Sequence, residues 1–153
     1  MTNYLVYWKT YWEDVKEGSL GGVTPYWYTD NKNFRDKIRK SDRLWVLVTG
    51  GDGAPNEWRL IQSFFVSNVN PKKMETKWGK YEIIGLRKDN HGFKIDRQPD
   101  FTAILWLLEF STGKRIKTLG QKIGQSLQTH GHRTLTERDV VLLENYAKRL
   151  TRG

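Results

Sequence analysis

Cysteine is absent from the 153-residue sequence, which removes disulfides, thiolate metal sites and cysteine nucleophiles together. An intracellular domain of this length needs no covalent staples. The histidines His91, His130 and His132 are too few and too far apart for a convincing metal site, and His130-Gly131-His132 reads as a solvated loop. Carboxylates are scattered, with no spaced acidic pair to hold Mg2+, so no metal and no compact acid/base set is expected. Gly50-Gly51-Asp52-Gly53 matches neither a Walker loop nor a dinucleotide fingerprint, and a hairpin connection accounts for it better. No cofactor is expected. No segment approaches the roughly 18 consecutive apolar residues of a membrane helix. The start, Met1-Thr2-Asn3-Tyr4, lacks the basic region and apolar run of a signal peptide. These absences predict a cytoplasmic protein with no membrane partner. Without internal repeats, linkers or low-complexity stretches, residues 1–153 are expected to form a single domain.

What is present is positive charge and aromatic rings. The formal net charge is +9, and aromatics make up 13% of residues with seven tryptophans. Such a balance predicts an anionic partner, of which nucleic acid is the commonest, against the plainer alternative of solubility. The distribution favours the partner. Between Glu109 and Glu137 there is no acidic residue, while Lys114, Arg115, Lys117, Lys122 and Arg133 fall in that span. A second basic stretch, Lys72, Lys73, Lys77 and Lys80, surrounds Trp78. Cations separated by aromatics and glycines suit a surface that tracks phosphates.

Along the chain, Asn3 to Trp8 is short, aromatic and β-branched and predicts a first strand. Thr10, with Glu13 at the capping-box position, predicts a brief helix over Tyr11 to Lys16, broken by Gly18-Ser19 and Gly21-Gly22. The stretch from Gly21 to Thr49 is the organising one. Within it Tyr26-Trp27-Tyr28 follows Thr24-Pro25 as an extended segment, placing two rings on one face and one on the other. Thr29 or Asp30 is expected to cap a helix through about Arg39, with Phe34 and Ile38 as its core stripe. Arg43 to Thr49 predicts a central strand.

Glu57 to Asn70 predicts a long strand, bulged or bent, and Tyr81 to Leu86 another. Asp89-Asn90-His91-Gly92 has a hairpin-turn signature with Phe93 to Ile95 as its return strand. Phe101 to Phe110 is ambiguous between a doubly buried strand and a core helix, and is taken as strand. Leu119, Ile123 and Leu127 mark an amphipathic helix. Thr136-Glu137-Arg138-Asp139 is a capping-box start to a last helix with the stripe Val140, Leu143, Ala147 and Leu150.

Strands with a helix after the first, a central strand after a basic helix and helices at the end describe a small α+β barrel. The residues resemble the EVE domain of the PUA-like superfamily, with YTH and ASCH domains as more distant relatives. Asn3-Tyr4-Leu5-Val6-Tyr7-Trp8-Lys9 is similar to that family's opening strand ending in a lysine, and Gly22 to Asn31 is placed like its pocket loop. Phe34-Arg35 with Lys40-Ser41-Asp42-Arg43-Leu44 resembles its arginine-bearing helix and Gly-Asp turn, Ser41 standing where the family has glycine. Arg133-Thr134-Leu135-Thr136 with the closing helix is similar to its C-terminal end, whereas Thr24-Pro25-Tyr26-Trp27 departs from its Arg-Asn-Tyr run.

The resemblance implies a PUA-like small mixed β-barrel with flanking helices. It also implies a reader that takes a modified nucleobase into an aromatic pocket, in restriction of modified DNA or in RNA regulation, with a nuclease effector acting in trans. On that expectation Trp8, Tyr26, Trp27 and Tyr28 line the pocket, Trp12 is its lid, and Lys9, Thr29 and Asn31 read the base edge. Core packing competes for each ring taken singly. Two other functions remain open: an ASCH-like metal-independent ribonuclease built on Lys, Tyr, Thr and His side chains, and a protein-interaction module.

Overall fold

The computed structural model describes residues 1–17, 25–49, 57–116, 123, 127 and 132–150. The strands among the described residues are β1 (Asn3–Tyr7), β2 (Tyr26–Thr29), β3 (Arg43–Thr49), β4 (Trp58–Val69), β5 (Tyr81–Gly85), β6 (His91–Gly92) and β7 (Arg133–Thr134), with β3 to β6 following one another without an intervening α-helix. The helices are α1 (Tyr11–Lys16), α2 (Lys32–Lys37), α3 (Thr102–Leu107) and α4 (Glu137–Ala147). This is a mixed α+β protein with a seven-stranded mixed sheet in the order β2-β5-β4-β3-β1-β7, β6 pairing with β4. The parallel β1–β3 pair lies between β4 and the β7 edge, from Asn3 opposite Arg43 to Tyr7 opposite Leu47, and every other pairing is antiparallel.

Period-two alternation explains why the central strands are almost unbroken apolar runs. On β3, Trp45 and Leu47 enter one core cluster with Leu5, Trp58, Phe101, Leu105 and Leu143. Leu44, Val46 and Val48 enter another with Tyr4, Val6, Phe34, Ile38, Phe64 and Ile83. Helices α3 and α4 therefore cover one face of the sheet and α2 the other. The expected bend in β4 is present, its register shifting opposite Val46/Leu47 and between Val66 and Asn68. The 12-residue strand thereby pairs with β3 along one part and β5 along another.

Several local expectations are corrected. Phe101 to Phe110 is not a strand: Thr102–Leu107 is helical, with Leu105 buried and Trp106 and Leu107 exposed. The apolar run concealed its period, and Asp100 accepts from Thr102 N at 3.0 Å and from Thr102 Oγ1 at 2.7 Å at the helix start. The turn foreseen at residues 89–92 lies earlier, as a 3-10 turn at Arg87–Asp89, because His91 and Gly92 pair with Ser63 and Gln62. Phe93 adds one bond to Ile61 O (2.9 Å) in place of a return strand through Ile95. Helix α2 is capped by neither Thr29 nor Asp30: Asn31 Oδ1 accepts from Phe34 N. It ends at Lys37, short of Arg39. Ile123 and Leu127 are helical and buried as expected, while Leu119, the Gly50–Gly53 loop and the glycines at 18, 21 and 22 lie outside the described residues.

Two buried aspartates fasten the chain where it changes direction. Asp42 accepts from Thr2 N (2.9 Å) and Arg39 N (2.8 Å), closing the turn between α2 and β3. Asp139 completes the foreseen capping box with Thr136, and also accepts from Glu109 N (2.8 Å) and Phe110 N (2.9 Å). One carboxylate thus starts α4 and holds the segment after α3 against it. No helix among the described residues is long and apolar enough to cross a membrane.

Beside Asp42, Ser41 sits at φ +74°, left-handed backbone that costs a non-glycine residue about 1–2 kcal/mol. Glycine there loses about 0.4–1 kcal/mol through the freer unfolded chain, so relief of strain wins. Ser41→Gly is expected to stabilise the protein by about 1 kcal/mol, measured as a higher urea midpoint at unchanged slope.

Candidate functional site

The site is built around Asp14, a carboxylate on α1 with 0% exposure. A buried charge needs close partners, and here they come from two segments, residues 8–10 and 77–78. Oδ2 accepts from Trp8 Nε1 (2.9 Å) just past β1, from Thr10 Oγ1 (2.9 Å), and from Trp78 Nε1 (2.8 Å). Lys77 Nζ closes on Oδ1 at 2.9 Å and also pairs with Glu17. Thr10 is the residue before α1, but its hydroxyl serves Asp14 and makes no cap bond, so the expected capping box with Glu13 is absent. Burial alone would push the Asp14 carboxyl up; Lys77, Trp78, Trp8 and Thr10 more than offset it and hold the group below its ordinary 3.8. Asp14 is therefore ionised at neutral pH and fixes two indoles at once.

Trp78 reaches this position through a tight turn. Thr76 Oγ1 accepts from Trp78 N (3.2 Å) and Gly79 N (3.1 Å) and donates to Gly79 O (2.7 Å). Gly79 has φ +152°, and a Cβ there would lie 2.8 Å from the Thr29 backbone, so only glycine lets the turn press against the end of β2. That approach lays Trp78 on Tyr28, ring centroids 5.6 Å apart and planes 28° from parallel. Tyr28 and Glu82 face one another across β2 and β5, and the phenol donates to Glu82 Oε2 at 2.7 Å. Burial first and then Glu82 push the phenol up to about 12, so Tyr28 stays a protonated donor over the neutral range.

Of the residues expected to line a pocket, the structure links Trp8 and Tyr28, through Asp14 and Trp78. Trp27 points to the other side of β2 by strand alternation and packs on the cluster that Trp8 and Tyr11 also touch. No ring contact joins Trp27 to Trp8 among the described residues. Tyr26 shares the Tyr28 side of the strand and is half-buried. Trp12 donates to Thr49 O (2.9 Å), fastening α1 to the end of β3. This bond ties the ring expected as the lid to the end of β3. Tyr11 bridges the two, edge-on to Trp8 at 5.2 Å and to Trp12 at 5.1 Å.

The polar candidates divide. Lys9 is exposed. Thr29 Oγ1 accepts from Asn31 N (3.0 Å), and Asn31 Oδ1 accepts the α2 cap bond at 3.0 Å, which leaves its amide N–H groups for any other partner. Among the basic residues Lys72, Lys73, Lys80 and Lys114 are exposed, and Arg115 pairs with Glu109 at 3.0 Å. Lys77 serves Asp14 and Glu17. Arg133 is only 7% exposed, donates to Lys114 O and lies 5.0 Å over the Phe110 ring; it is a packing residue, which corrects its placement on the phosphate surface. Lys117 and Lys122 lie outside the described residues.

Asp14, Trp78 and Glu82 are the site residues that spacing did not single out. A usable sign was Thr10 four residues before Asp14, one helical turn away. Among the described residues no group of three His, Asp or Glu side chains is placed to hold a metal ion. Compared with protein-family models the chain matches none, and no curated protein matches it.

Asp14→Asn replaces a fourfold-partnered anion with an amide that cannot accept on both sides, and is expected to destabilise the fold by about 2–3 kcal/mol in urea. Because the folded-state value is lowered, the stabilisation is complete above pH 3.8 and is lost as pH falls through the lower folded value. The wild type should lose that share of its stability on acidification while Asp14→Asn does not, as followed by tryptophan fluorescence.

Proposed function

We propose that this protein binds nucleic acid by taking a modified, methylated nucleobase against the rings held around Asp14, with exposed lysines on the flanking phosphates. The observation that carries the reading is that one buried carboxylate fixes both Trp8 and Trp78 while Tyr28 stacks on Trp78. Unstacking a base costs a few kcal/mol, and stacking on protein rings returns about 1–3 kcal/mol per base. Rings already held by hydrogen bonds lose little further rotamer freedom on binding, so more of that return appears as affinity. A methyl group adds apolar area that an aromatic wall accommodates.

The cations are well placed for phosphates. Lys80 follows the Trp78 turn directly, and Lys72 and Lys73 precede it on the connection from β4. On this reading the seven-stranded sheet is the mixed barrel of a PUA-like fold and the chain is an EVE-type domain. Ser41 supports the assignment: the family has glycine at that position, and the backbone there is left-handed at φ +74°. The order of elements supports it too, with a helix after the first strand, a basic helix before the central strand and a closing helix. A reader without a reaction of its own acts through a partner, and a nuclease in trans is the partner proposed.

The test is binding of short oligonucleotides carrying methylcytosine, hydroxymethylcytosine or methyladenine, each against its unmodified parent. One modified strand is expected to bind tighter. Trp78→Ala should weaken that strand by about 5- to 150-fold, the equivalent of 1–3 kcal/mol, and scarcely change binding of the parent. Trp78→Phe keeps a ring but removes a donor from Asp14, and should fall between. Equal binding of modified and unmodified strands sinks the proposal; degradation of labelled RNA by the pure protein in EDTA would replace it with the ribonuclease reading.

A further inference from the structure

A groove of about 260 Å3 runs between the 94–99 segment and Arg149–Leu150, just beyond α4. None of its lining residues is Asp14, one of the Asp14 donors, Tyr28 or Glu82, so this groove is distinct from the Asp14 site. Its volume lies below the roughly 300 Å3 where pockets for drug-sized ligands begin, which suits a small group.

Three cations line it, Lys94, Arg97 and Arg149, against one carboxylate, Asp96. Among the described residues none of the three forms an ion pair. This contrasts with Arg43 on Glu144, Arg59 on Glu57 and Arg115 on Glu109. The nearest further acid along the chain, Asp100, is spent on Arg59 at 3.5 Å and on the amides of Trp58 and Thr102.

The segment that carries Lys94 and Arg97 is held from below. Gln98, 6% exposed, accepts from Leu60 N (2.7 Å) and donates to Leu60 O (2.9 Å) and Lys94 O (3.1 Å). It pairs with β4 as a strand residue would and closes its own loop. The Tyr146 hydroxyl donates to Pro99 O (2.8 Å) and lies 3.2 Å from Gln98 Oε1, joining the loop to the helix that leads to Arg149. Arg97 itself sits at φ +62°, a conformation costing an exposed non-glycine residue about 1–2 kcal/mol. Strain of this kind persists where surrounding bonds impose it, and it collects at ligand clamps.

We propose that this groove binds a phosphate group through Lys94, Arg97 and Arg149. Guanidinium forks match tetrahedral oxyanions two oxygens at a time, and the pinned loop fixes the backbone from which Lys94 and Arg97 project. The site stands whether or not the Asp14 rings accept a base. The phosphate is supplied either by the backbone of a nucleic acid strand or by a small phosphate ester or ion.

Two titrations followed by amide NMR separate the sources, one with inorganic phosphate and one with an unmodified oligothymidylate, which makes no demand on a modified-base site. Saturable shifts at residues 94–99 and 149–150 are expected. An oligomer that binds tighter than phosphate identifies a strand, and phosphate that the oligomer does not displace identifies a small ester or ion. The variant Arg97→Gly with Arg149→Ala retains the left-handed backbone and removes two cations. It should abolish the phosphate shifts and, for a strand, flatten the slope of log K against log salt by about 1.4. No saturable shift at these residues, or shifts that persist in a variant with an unchanged urea midpoint, overturns the proposal.

Discussion

An ionised carboxylate enclosed in protein has to be surrounded by donors, and those around Asp14 come from the residues just before it and from a turn 64 residues away. Trp8 leaves the central strand β1, Thr10 leads into α1, and Trp78 and Lys77 sit in a turn far down the chain. Satisfying one charge fixes all of these at once, because each donor withdrawn would leave part of a buried anion unmet. The stacking of Tyr28 on Trp78 and the approach of the Gly79 turn to Thr29 follow from that placement. The aromatic wall is therefore a consequence of an electrostatic requirement as much as of apolar packing.

The same device recurs away from the site. Asp42 ties the chain start to the turn before β3, and Asp139 ties the segment after α3 to the closing helix. In both cases a short acidic side chain accepts from backbone N–H groups that would otherwise be left over at helix and strand ends. Arg43 supplies the cationic counterpart, spread 3.9 Å over Trp45, bonded to Ser63 Oγ at 2.6 Å and paired with Glu144 at 3.1 Å. Polar fasteners thus join elements whose apolar faces decide only which side of the sheet they cover.

The net positive charge is not spread evenly in function. Lys77 and Arg133 are consumed by the architecture, one by Asp14 and Glu17 and the other by Phe110 and Lys114 O. Lys72, Lys73 and Lys80 stay exposed, and Lys94, Arg97 and Arg149 line one groove. A cation's place in the sequence says little about whether an acid lies next to it in space.

Local periodicity and local hydrogen bonding were legible from the chain alone. The bounds of α1 and β3, the bend of β4, the Thr136–Asp139 capping box and the apolar stripe of α4 all depend on residues within a few positions of one another. Class and charge came from composition. Where the period was concealed, as in Phe101 to Phe110, or where two caps competed, as at Thr29 to Asn31, neighbouring contacts chose the outcome. The sequence determined that half-buried rings and cations exist in excess. Only the tertiary structure decided that Trp8 and Trp78 share one carboxylate, because the bond between Asp14 and Trp78 spans 64 residues and rests on the burial of a single charge.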